Sequence, residues 1–129
     1  MRVQRFVVLV CVAAAACNWP TTVCGCTRPD VAYRVEGTVS LTSGAPVSGA
    51  SLVASAVGTS CAAFQPPYTF SPFGTTTSAS DGSFAITGMQ YGNICVRLVA
   101  RRPAVADSIV EMIDLTPGRR TQSVSMRFQ

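Results

Sequence analysis

The chain contains no histidine. That absence removes His-based catalytic triads, the usual zinc sites and most general-base schemes. Charge is also scarce. Charged residues make up 12% of the 129, and all ten basic residues are arginine. Two of these, Arg2 and Arg5, sit at the extreme N-terminus. The other eight face six acids, a balance of +2 scattered along the chain, which excludes a nucleic-acid partner. Tryptophan occurs once, at Trp19. No apolar run reaches the ~20 residues that cross a bilayer; the run from Phe6 to Cys17 stops short. There are no internal repeats. What is present is small: Ala, Ser, Thr, Gly and Val dominate, a composition suited to short strands and turns. The length fits one domain.

The N-terminus reads as an address. A basic start (Met1–Arg5) precedes an apolar segment (Phe6–Val12) and the small residues Ala13–Ala16, the layout of a secretory signal peptide. Ala14-Ala15-Ala16-Cys17 resembles a bacterial lipobox, although that pattern prefers Leu at the place of Ala14. The expectation is that residues 1–16 are removed and Cys17 is acylated, so that the protein's first partner is a membrane. Asn18, in place of the Asp of a retention signal, points by resemblance to the outer membrane of a Gram-negative envelope. Cysteine parity agrees: with Cys11 removed and Cys17 lipidated, four cysteines remain, an even number suited to disulfides. Cleavage at the same bond without lipid also fits Ala14-x-Ala16 and leaves a secreted or periplasmic protein.

Residues 17–32 carry Pro20, Pro29, Gly25 and no periodicity, and read as a tether. Cys24-Gly25-Cys26 lies within it. A metal site of this kind brings a second cysteine pair or a histidine, so no metal is expected, and oxidised thiols fit an exported compartment.

Residues 33–129 alternate as strands do. Tyr33, Val35, Val39 and Leu41 share one face, with Gly37 among them. Ala50–Val57 follows, Leu52 and Ala54 inward. Gly58–Gly74 reads as a long loop with Pro66, Pro67, Pro72 and four aromatics: Phe64, Tyr68, Phe70 and Phe73. These rings form either a stacking surface for a glycan or small ligand, or a satellite cluster folded back on the domain. The central stretch Thr75–Val99 gives strand, turn, strand, turn, strand. Asp81-Gly82 is its strongest hairpin dipeptide, and Tyr91-Gly92-Asn93 makes the second turn. Arg101-Arg102-Pro103 reads as a solvated turn. Ser108–Leu115 and Arg120–Phe128 complete seven short strands, the mark of an all-β sandwich.

Tyr33–Leu41, Gly44-Ala45-Pro46-Val47-Ser48-Gly49-Ala50, Thr77–Ile86 and Gly88–Leu98 together resemble the carboxypeptidase regulatory-like, or transthyretin-like, domain. The resemblance implies a seven-stranded Greek-key sandwich that in many proteins is accessory and non-catalytic. The enzymes of related fold need residues this chain lacks. Metallocarboxypeptidases and hydroxyisourate hydrolases need His, intradiol dioxygenases hold iron with Tyr and His, and starch-binding sandwiches use exposed Trp. No enzyme, cofactor or metal is therefore expected. A structural or interaction role with an envelope protein is expected, and glycan binding through the aromatic loop is the alternative.

The resemblance also makes the second and fifth strands neighbours. With Leu52 and Ala54 inward, side-chain parity turns Val53, Ser55, Val57 and Cys61 outward, and with Ile94, Val96 and Leu98 inward it turns Cys95 outward too, so Cys61 and Cys95 are expected to form a disulfide. The competing arrangement ties either of them to Cys24 or Cys26.

Overall fold

A computed structural model describes residues 30–63 and 70–129. Seven strands run β1 (Val31–Leu41), β2 (Ser51–Gly58), β3 (Ser71–Thr77), β4 (Ser83–Gln90), β5 (Ile94–Arg101), β6 (Ser108–Leu115) and β7 (Thr121–Phe128). They form a three-stranded sheet, β4-β1-β7, and a four-stranded sheet, β3-β2-β5-β6. All described pairings are antiparallel except β1 with β7. The two sheets make a β-sandwich.

The core follows from the period-2 alternation of its strands. Tyr33, Val35 and Val39 of β1 meet Leu52 and Ala54 of β2, Phe84 and Ile86 of β4, and Val96 and Leu98 of β5; Leu115, Met126 and Phe128 close it, each nearly or fully buried. Apart from Tyr33 with its hydroxyl, the one buried polar side chain among the described residues is Ser78. Its hydroxyl donates to Val47 O at 2.6 Å and accepts from Ala50 N at 2.9 Å, so its burial leaves nothing unsatisfied.

Three expectations need correction. First, Asp81-Gly82 is not the tip of a hairpin, because β3 and β4 lie in different sheets. The turn is tight, with Gly82 N bonded to Ala79 O at 2.9 Å and Ala79 N to Ser83 O at 2.8 Å, but it carries the chain across the sandwich. Gly82 is needed there for its φ of 81°. The Asp81 carboxylate accepts from the hydroxyl and the backbone N–H of Ser83, and these bonds hold it below the usual carboxylate pKa. Tyr91-Gly92-Asn93 likewise links two sheets. Second, the chain from Ser71 to Gly74 is strand, not loop: β3 begins at Ser71. Pro72 is tolerated because β3 is an edge strand, and the register shifts opposite it between Ala54 and Ser55. Third, Val57 is buried, 6% exposed, instead of facing outward. The pairing of β2 with β5 jumps from Ala56↔Val96 to Gly58↔Cys95, so Val57 is the extra residue of a bulge.

Candidate functional site

The strand directions bring several expected residues to one end of the sandwich. The start of β1 pairs with the end of β4 (Val31↔Gln90), the end of β2 with the start of β5 (Gly58↔Cys95), and the start of β5 with the end of β6 (Ile94↔Leu115). That end gathers the disulfide, Phe70, the Tyr91 turn and the point where the chain enters from residue 30.

Cys61 and Cys95 are joined there, with S–S 2.11 Å and Cα–Cα 4.9 Å. Cys95 has outward parity but is fully buried, because the chain carrying Cys61 folds over it. Cys61 N also donates to the Asp114 carboxylate at 2.8 Å, tying the same turn to β6. The sulfurs and that carboxylate lie within 4.8 Å of one another. With both sulfurs oxidised the trio offers no thiolate, the form that binds metal, and leaves a single carboxylate already engaged with backbone. Across the sandwich, the buried Tyr33 hydroxyl donates to Gly92 O and pins the β4–β5 turn.

The four aromatics of the expected loop part company. Phe73 is 7% exposed and belongs to the core, its ring seated on Gly88, where a Cβ would stand 2.7 Å from it. It is thus out of a ligand's reach. Phe70 is 53% exposed, with the Arg97 guanidinium 5.9 Å from the ring centre. Phe64 and Tyr68 lie outside the described residues, as do Cys17, Trp19, Cys24 and Cys26.

The two outer faces differ in chemistry. The three-stranded sheet presents Arg34, Thr38, Thr87, Ser123, Ser125 and Arg127. The four-stranded sheet carries an aliphatic row: Val53 pairs with Val99, which pairs with Val110, and Met112 lies beside Arg97. Val53, Val110 and Met112 are exposed. Sequence reading passed over this row. Its signal was the nearly continuous apolar run Ile94–Ala100, which alternation alone does not require.

Two depressions among the described residues are open and shallow. An open depression of about 600 Å³ lies beside Arg34, Glu36, Thr38, Thr77 and Ser83. Its charges cancel, Arg34 Nε being 2.6 Å from Glu36 Oε2. A smaller one of about 250 Å³ runs between β6 and β7, lined by Glu111, Ile113, Arg119 and Gln122.

No family model matches the chain, and no curated protein matches it. Solved structures do. Chlorocatechol 1,2-dioxygenase from Pseudomonas putida is similar at 11% identity and TM-score 0.55, over 79% of this chain and 61% of that one. The dioxygenase domain of a dioxygenase–carbohydrate-binding protein fusion from Streptomyces sp. SirexAA-E gives 18% identity and TM-score 0.48, over 80% and 82%. Hydroxyquinol 1,2-dioxygenase from Pseudomonas putida DLL-E4 gives 20% and 0.44, over 84% and 57%. This chain thus spans about three fifths of the first of these proteins. At such identities the likeness is one of fold, and the fold it supports is the all-β sandwich.

Proposed function

We propose that this chain is a non-catalytic, extracytoplasmic β-sandwich module of the carboxypeptidase regulatory-like or transthyretin-like kind. Acyl chains on Cys17 hold it in a bacterial envelope, at the outer membrane, where it serves a structural or protein-interaction role. The observation that carries the non-catalytic part is the placement of polar groups. Among the described residues the hydroxyls carried by buried side chains are those of Ser78 and Tyr33, and every bond they make is to backbone. A catalytic acid or base is ordinarily tuned by burial or by a neighbouring charge. Here Asp81 is shifted chiefly by its hydrogen bonds from Ser83, within an exposed turn. The adjacency of β2 and β5, which the family resemblance implies, supports the assignment of kind.

The dioxygenase likeness does not bring the ligands of iron with it. The chain has no His. Tyr33 is buried with its hydroxyl given to Gly92 O, and Tyr91 sits in an exposed turn. Protein purified without added metal is expected to hold neither iron nor zinc in stoichiometric amount. Stoichiometric iron, with oxygen-dependent cleavage of a catechol, would overturn the non-catalytic reading. The glycan-binding alternative keeps Phe70 and loses Phe73 to the core; its other two rings, Phe64 and Tyr68, lie outside the described residues.

A further inference from the structure

The tether enters the sandwich at the end that also exposes its largest apolar side chains. Phe70, Met89 and Tyr91 are 53%, 56% and 47% exposed. Phe70 lies just before β3 on the side of the four-stranded sheet. Met89 lies near the end of β4, on the outer face of the three-stranded sheet beside Ala32. Tyr91 lies in the turn between them. The three therefore ring one end of the sandwich from both sides. At the opposite end, where the strands meet at Leu41↔Phe128 and Arg101↔Ser108, the exposed apolar side chains are smaller: Val105 between the strands, with Val53 and Val110 on the outer sheet face two residues in from their strand starts.

We propose that this ringed end rests against a lipid surface, with Phe70, Met89 and Tyr91 in the boundary between headgroups and acyl chains. The proposal rests on the anchored reading above and adds an orientation to it. Three features argue for it.

The first is position. The chain from Cys17 to Asp30 reaches at most about 50 Å even fully extended. It joins β1 at Val31, so with Cys17 anchored this end meets the bilayer on a slack tether. The other end would do so only with the tether drawn out along a strand length, about 35 Å at the rise of an extended chain.

The second is chemistry. Aromatic side chains with one polar atom favour the membrane–water interface, and Phe and Met add apolar area there. The charges at this end nearly offset one another: Arg119 and Arg120, with Arg97 over the Phe70 ring, face Asp30 and Asp114. The contact is thus mainly apolar, and with one surplus Arg its strength should rise only slightly with the anionic lipid fraction.

The third is rigidity. The Tyr33–Gly92 hydrogen bond fixes the turn that carries Tyr91. The Cys61–Cys95 disulfide and the Cys61–Asp114 bond fix the neighbouring corner. Side chains presented on fixed turns lose less entropy on docking than those on loose ones.

The test uses the full chain, acylated, with Trp19→Phe removing the native indole. Phe70→Trp, Tyr91→Trp and Val105→Trp each place a single reporter at an exposed position. The protein is reconstituted in phosphatidylethanolamine–phosphatidylglycerol vesicles containing phosphatidylcholine with brominated acyl chains. Quenching and a blue shift at positions 70 and 91, several times those at 105, are expected at every phosphatidylglycerol fraction. Equal quenching at the two ends, on protein whose mass shows the acyl chains, overturns the orientation alone. An unmodified mass overturns the anchor and the orientation with it. Should one reporter at this end fail to fold, the other decides.

Discussion

Gly37→Ala should destabilise the domain by about 3 kcal/mol or more, and Gly37→Val should leave no folded protein at ordinary temperature. Gly37 sits in β1 between Phe84 of β4 and Val124 of β7. A Cβ built on it would stand 1.8 Å from Val124 O and 2.8 Å from Val124 C. Those are backbone atoms, so no rotamer change relieves the clash. Strand β7 would have to move, and its pairing with β1 runs from Arg34↔Thr121 to Leu41↔Phe128. That pairing also carries Met126 and Phe128 into the core. Relief at one position therefore disturbs burial at others. Denaturant midpoints at unchanged slope measure the loss. Gly118→Ala is the control: a Cβ there meets nothing nearer than Thr116 Oγ1 at 3.9 Å, and the change should fall within about 0.5 kcal/mol of zero. A loss at Gly37→Ala no larger than that of the control would contradict the close approach of β7.

Breaking the Cys61–Cys95 bond should cost about 3–4 kcal/mol. The two residues are 34 apart in sequence, and on the chain-entropy account a loop of that length restricts the unfolded chain by this amount. Against a total of about 5–15 kcal/mol for a domain of ordinary stability, the loss is large. It should be felt first at the corner where Cys61 covers Cys95 and where Asp114 accepts from Cys61 N. The double variant Cys61→Ala/Cys95→Ala and the reduced native protein should lose stability alike. Peptide mapping without reduction should recover Cys61 linked to Cys95. Recovery of Cys61 linked to Cys24 or Cys26, or full stability under reductant, would overturn the assignment and its energetics.

How far the sequence was legible depended on whether a feature was local. The seven strands were readable because their alternation is local: Val124, Met126 and Phe128 of β7 point inward as their spacing requires. Sheet membership was not, because a tight turn has the same sequence whether it closes a hairpin or crosses a sandwich. Asp81-Gly82 satisfies its own turn bonds in either setting, and only the pairing of β4 with β1 decides between them. Strand β3 was half hidden, since Pro72 and Gly74 are depleted in strands and the run Thr75–Thr77 has no polar contrast. Phe73 was misplaced with its neighbours for the same reason: its burial depends on a gap above Gly88, a distant residue. The reversal of Val57 came from the bulge at Ala56–Gly58, and one inserted residue flips every side chain beyond it. Gly37 was seen on the apolar face, but its cause, the proximity of β7, is tertiary. The ring of Phe70, Met89 and Tyr91 needed strand directions before three scattered residues could be placed at one end.

The central claim is that this sandwich is carried on a membrane by its own N-terminal cysteine, and one measurement tests it most directly. Intact-mass analysis of the protein extracted in detergent from its native membranes should give the chain Cys17–Gln129 plus the acyl chains of a bacterial lipoprotein. Two or three chains are expected, because a single one binds a bilayer only marginally. A mass equal to the unmodified chain from Cys17, or one that retains residues 1–16, would contradict the account.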